Sequence, residues 1–187
     1  MSRLPLNECN LFFFDSETGG LEASVADMVE VACVLTDRTG QQILAEYNAK
    51  VIPQRPVDPR AAAVNGYSAE KWAAEGAIDI DTAMVKLLTL ARNSIFVSHN
   101  TPFDWSFFNA AMARRQARWP GDYHKIDTVA LATPLLKFGR VPNLKLATLV
   151  AHFGLQQEQA HAALSDARDC RKVYLHLMAR YAAAFST

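Results

Sequence analysis

The stretch "NLFFFDSETGGL", Asn10–Leu21, runs from four apolar residues, Leu11 to Phe14, directly into two carboxylates, Asp15 and Glu17. The apolar run reads as a buried strand, Leu11 to Asp15. Side chains alternate faces along a strand, so Asp15 and Glu17 point the same way at the mouth of an apolar layer. Two like charges that close repel unless a cation lies between them. A D-x-E triplet alone is ordinary, and a strand end turning into solvent would also account for it.

The rest of the chain has to choose between those readings. At 187 residues with half of them hydrophobic, it has the size and composition of one globular domain, expected to span residues 1–187. Lys plus Arg equals Asp plus Glu at 19 each, so no global positive field marks a nucleic-acid partner. Such a partner would have to be gripped locally, or through cations that reverse the sign of an acidic pocket. Cys9, Cys33 and Cys170 show no CxxC spacing, which argues against a zinc site or a disulfide framework and for a reducing compartment. "MSRLPLNECN" has no apolar signal-peptide stretch, and no uncharged run approaches the roughly 18 residues of a membrane span. The expected location is the cytoplasm, with no membrane partner.

Further strands are expected at Met28–Asp37 and Gln42–Ile52, joined by a turn at Thr39-Gly40 into an antiparallel hairpin. A proline-rich loop then precedes helical pattern at Ser68–Glu75 and in "DIDTAMVKLLTLAR". "SIFVSHN" reads as a fourth strand feeding a helix from "TPFDW" to about Arg118, and "HKI" as a fifth. Helices are expected at Asp127–Lys137, Asn143–Phe153 and about Ala162 to Ala184. A hairpin followed by alternating strands and helices predicts an α/β mixed sheet flanked by helices.

Two more acidic groups sit at junctions of these elements. In "VSHNTPFDW" Thr101 fits a helix N-cap, Pro102 the first helical position and Asp104 the third. On its own, Asp104 reads equally as a first-turn helix carboxylate. In "AHAALSDARDC" His161 precedes Asp166 by five residues, a step that separates them on one helix. They converge only if His161 lies in the loop entering the last helix. Together the groups supply four carboxylates and a histidine at the edge where open α/β sheets place their sites. An all-oxygen ligand set favours Mg²⁺ or Mn²⁺ over zinc, and two such ions form the usual clamp for displacement at phosphorus.

The three groups in order, "FFFDSETGGL", "SHNTPFD" and "HAALSD", resemble the DEDDh exonucleases, the DnaQ-like branch of the ribonuclease H-like fold. The resemblance covers nearly the whole chain; Gly19 stands where relatives often have a second threonine. It implies a five-stranded mixed sheet, antiparallel over its first three strands and parallel thereafter. It implies two Mg²⁺ or Mn²⁺ ions, one on Asp15, Glu17 and Asp166, the second shared by Asp15 and held by Asp104. His161 would be the general base, and the reaction would release nucleoside 5′-monophosphates from a 3′ end.

The resemblance also implies that "TGGL" walls the pocket, with Thr18 near the terminal sugar and Leu21 wedged against the last bases. Gly19 and Gly20 would let the backbone approach the nucleotide, and Phe103 would stack on it or serve as core. Asn65, Tyr67 and Asn100 are weaker candidates for polar contacts. Asp127 reads as a helix N-cap and Asp169 as a solvated helix charge; His99, His124, His152 and His176 are assigned no chemistry. Arg140 and Lys145 are expected to track a phosphate backbone. The expected substrate is single-stranded or frayed DNA, with RNA as the alternative. A homodimer and association with a polymerase, as its proofreading subunit, both stay open.

Overall fold

Strand pairing begins with the aromatic stretch that opens the chain. In the computed structural model, which describes residues 4–156 and 162–186, β1 (Asn10–Thr18) pairs antiparallel with β2 (Met28–Thr36) and parallel with β4 (Ser94–Ser98). β3 (Ile43–Lys50) extends the antiparallel side and β5 (Lys125–Asp127) the parallel side, giving the order β3-β2-β1-β4-β5. This is the expected five-stranded mixed sheet. The hairpin turn falls where expected, with Gly40 in the left-handed region at φ 79° and the Asp37 N–H donating to the Gln42 carbonyl.

β1 runs three residues beyond the expected end at Asp15. The pairs Asp15 with Ala32, Ser16 with Val31 and Glu17 with Glu30 continue the ladder, so both carboxylates lie within the strand. The other strands and helices fall within a few residues of expectation, except at two helix ends. α4 (Thr101–Arg114) stops about four residues early, where Gln116 takes a left-handed φ of 54°. α6 (Leu146–His152) starts late because Asn143 Oδ1 accepts from the Lys145 N–H and the Thr148 hydroxyl, holding a turn in place of a helix. The proline-rich segment holds one short helix, α1 (Pro59–Asn65); α2 (Ala69–Ala74), α3 (Ile80–Leu90) and α5 (Thr128–Lys137) follow the pattern.

Alternation along β1 sends its side chains to two different cores. Phe12 and Phe14 enter one with Phe96, Phe107 and Phe108, where Phe14 meets Phe108 edge-on at 5.0 Å. Leu11 and Phe13 enter the other with Ala167, Cys170 and Tyr174 of α7 (Ala163–Phe185). Each fully buried Phe contributes about 1.5–3 kcal/mol relative to exposure, so β1 is clamped between α4 and α7 with its direction fixed. Asp15 and Glu17 continue the Leu11–Phe13 series and face α7; Ser16 continues the Phe12–Phe14 series and faces α4. Asp169 corrects an expectation: it is fully buried, and its carboxylate accepts from Lys172 Nζ at 2.8 Å. An ammonium one turn away neutralises the charge and makes burial tolerable. Among the described residues no helix is long and apolar enough to cross a membrane.

Candidate metal centre and substrate cleft

Three carboxylates meet where β1 passes under the start of α7. Asp15, Glu17 and Asp166 each offer an oxygen, and these oxygens lie within 4.8 Å of one another. Asp104 reaches the same end of the sheet from the α4 side and is 3% exposed, its Oδ1 accepting from the Ser16 hydroxyl at 2.9 Å. It does not join the group of three, but its charge acts on Asp15.

The electrostatics follow from that crowding. Burial, then the charges of Asp104, Asp166, Glu17 and Glu30, push the Asp15 carboxyl well above the usual carboxylate range. Burial and the neighbouring Asp166 and Glu30 raise Glu17 to about 7. Burial raises Asp104 to about 7 as well, against the stabilising hydrogen bond from Ser16. Nearby relief comes from Lys50, which also lowers the Glu17 pKa, but its ammonium lies 2.8 Å from Glu30 and 4.0 Å above the Trp72 ring. Oxygen donors gathered this closely have the chemistry of a hard divalent-cation site.

The cleft opens from Glu17. It has a volume of about 1050 Å³, large for a small-ligand pocket, and its lining includes Thr18, Gly19, Leu21, Asn65 and Phe103. Thr18 Oγ1 donates to the Gly20 carbonyl at 2.7 Å, folding the turn on itself. Asn65 is buried; its Nδ2 donates to the Thr18 carbonyl and its Oδ1 accepts from the Tyr67 N–H. The Asp58 N–H binds the Gly19 carbonyl at 2.8 Å, so α1 and the turn form one wall. Leu21, 86% exposed, stands at the rim with Val25 and Val64.

Other expected residues take different places. Asn100 does not line the cleft: it is the N-cap of α4, in the left-handed region at φ 69°, and makes no side-chain cap bond. Thr101, expected as that cap, is instead helical, and its hydroxyl donates to the Ile126 carbonyl at 2.8 Å. Asp127 caps α5, as expected. Arg114 and Arg115 pair with Asp27 and Asp81, whereas Arg140 and Lys145 are exposed. His161 lies outside the described residues. No spacing in the sequence marks the Glu30–Lys50 pair or Ser16, although a lone glutamate inside the apolar "VEVACV" is a legible signal.

A five-stranded mixed sheet with a carboxylate cluster at the centre of one end defines an enzyme of the ribonuclease H-like nuclease class. The model of the Exonuclease family (RNase_T) matches residues 12–174, and the chain belongs to that family. It is 32% identical over 165 residues to a Thermotoga petrophila protein named DNA polymerase III PolC-type, covering 88% of this chain and 11% of that one. It is 27% identical over 170 residues to the DNA polymerase III subunit epsilon of Treponema pallidum, covering 90% and 76%. Among solved structures, E. coli exonuclease I in complex with a dT13 oligonucleotide superposes with a TM-score of 0.82 at 15% identity, over 96% of this chain and 43% of that one. The chain thus spans about a tenth of the PolC-type polymerases and under half of the exonuclease I chains.

Proposed function

We propose that this domain hydrolyses nucleic acid from the 3′ end, one nucleotide at a time, with single-stranded or frayed DNA as its substrate. The observation that carries the reading is that Glu17 belongs both to the carboxylate group of three and to the cleft walled by Thr18–Leu21. A terminal nucleotide in the cleft would place its phosphodiester beside the acidic cluster. DNA is favoured by the relatives, which are named as DNA polymerase III components, and by the oligonucleotide in the exonuclease I complex.

Asp15, Glu17 and Asp166 would hold one Mg²⁺ or Mn²⁺ ion, and Asp15 with Asp104 a second; when bound, the ions polarise the scissile phosphate and offset charge on the leaving 3′ oxygen. His161 accepts the proton of the attacking water. The new bond joins that oxygen to phosphorus as the bond to the 3′ oxygen breaks, so a nucleoside 5′-monophosphate leaves. Leu21 and Phe103 bracket the terminal base, while Thr18, Gly19 and Asn65 shape the wall against the sugar. The buried free thiols of Cys9, Cys33 and Cys170 suit the reducing cytoplasm. Association with a polymerase is proposed from the relatives' names alone.

Side-by-side digestion of 5′-labelled DNA and RNA oligomers of one sequence tests the substrate. The expected result is a ladder shortening from the 3′ end, faster on DNA. A faster ladder on RNA would make the chain an exoribonuclease.

A further inference from the structure

The junctions that open α4 and α5 are bolted together, and one carboxylate serves both. Asp127 Oδ1 accepts from the Val129 N–H at 2.9 Å, capping α5, and from the Asn100 N–H at 3.0 Å, on the residue that starts α4. Asn100 sits at φ 69°, ψ 56°, a conformation costing about 1 kcal/mol or more for a residue with a side chain. It persists only if its surroundings hold it, and its own side chain makes no cap bond. Around it, His99 bridges Thr128 Oγ1 and the Leu144 carbonyl, each at 2.9 Å, and Thr101 Oγ1 donates to the Ile126 carbonyl.

This corner sets the direction of the first turn of α4. The Phe103 N–H closes that turn on the Asn100 carbonyl at 2.9 Å, and Asp104 follows, buried and aimed at Ser16 on β1. We infer that Asp127 is a positioning residue for the reaction: by latching the Asn100 amide it holds the left-handed corner that aims Asp104 at the acidic cluster. The inference rests on the reading of Asp104 given under Proposed function. It goes beyond a helix cap, because a cap on α5 has no bearing on α4, whereas this oxygen ties two residues 27 positions apart in the chain.

The two duties of Asp127 come apart by substitution. Asp127→Asn keeps a carbonyl oxygen for both amides. Asp127→Ser keeps a good cap for α5, but its shorter side chain cannot span to Asn100 as well. Asp127→Ala loses both, and Asp79→Ala removes a comparable cap from a different helix, α3. Asp127→Ser is expected to keep its melting temperature close to wild type yet lose roughly 10- to 100-fold in kcat, with KM for single-stranded DNA changed by less than about threefold. Asp127→Asn should recover most of the kcat, and Asp79→Ala should lose stability without losing kcat.

Hydrogen exchange of metal-free protein supplies a second readout: the amides of residue 101 and residues 103–108 should exchange faster in Asp127→Ser than in Asp127→Asn or Asp79→Ala. Wild-type kcat and exchange in Asp127→Ser, with Asp104→Ala inactive, would overturn the latch. An active Asp104→Ala would instead overturn the role given to Asp104 and leave the latch nothing to aim. Should Asp127→Ala fail to fold, the comparison of Ser with Asn carries the test alone.

Discussion

Replacing Glu17 with Gln is expected to stabilise the metal-free fold while abolishing activity. Glu17 is 9% exposed and faces Asp166 and Glu30, with Lys50 already committed to Glu30. Raising its pKa from 4.5 to about 7 corresponds to roughly 3 kcal/mol of disfavoured ionisation in the folded state. The sign follows from proton uptake. Between these values the native state binds more protons than the unfolded chain, so stability is full below about pH 4.5, falls as pH rises, and levels off above pH 7. Gln has the same shape and no charge to lose. Urea denaturation in EDTA should therefore show Glu17→Gln ahead of wild type by about 2–3 kcal/mol at pH 8, and by less than about 1 kcal/mol at pH 5. Mg²⁺ at a hundredfold excess over its Kd should return about 2.7 kcal/mol to wild type and much less to the variant. A variant less stable than wild type at pH 8 in EDTA, or a gain independent of pH, would refute the reasoning.

Lys50→Met strands the carboxylate of Glu30, 2% exposed, beside Glu17; a loss of about 3–5 kcal/mol is expected in urea denaturation at pH 8, largely recovered in the double variant with Glu30→Gln. Leu21→Ala, at a side chain 86% exposed, should leave stability within about 0.5 kcal/mol but raise KM for single-stranded DNA about fivefold in steady-state assays. Neutralising Arg140 and Lys145 together should weaken DNA binding and flatten its salt dependence by about one to two in log–log slope, read by fluorescence anisotropy across a salt series. An unchanged slope would remove both residues from the phosphate path.

Much of the fold is legible because alternation and apolar runs are local signals. The same alternation that sends Phe12 and Phe14 to α4 and Phe13 to α7 puts Asp15 and Glu17 on one face, and the structure keeps that assignment as far as Glu17, after which the register shifts at Thr18. The extent of β1 was not legible, since strand length depends on a partner, and β2 offers Val31 and Glu30 opposite residues that look like a strand end. Asp169 read as a surface charge because helical spacing alone does not reveal that Lys172 neutralises it in place. The corner at Asn100 is the least legible feature: its conformation depends on an acceptor in Asp127, which no periodicity connects to it. In the site, the carboxylates stood out as charges in apolar company, whereas Ser16 and Lys50, which position and offset them, look ordinary in sequence.

The central claim, that Asp15 and its neighbours make a cation-dependent 3′-end nuclease, is tested most directly with a 5′-labelled single-stranded DNA oligomer. Wild type is followed with Mg²⁺, with EDTA, and beside Asp15→Ala and Asp166→Ala. The account predicts a one-nucleotide ladder receding from the 3′ end with Mg²⁺, no degradation in EDTA, and at least a thousandfold loss in both variants, on the order expected when a group essential to the reaction is removed. Immediate release of the labelled 5′ nucleotide, a discrete internal cut, or degradation that survives EDTA or either substitution would contradict it.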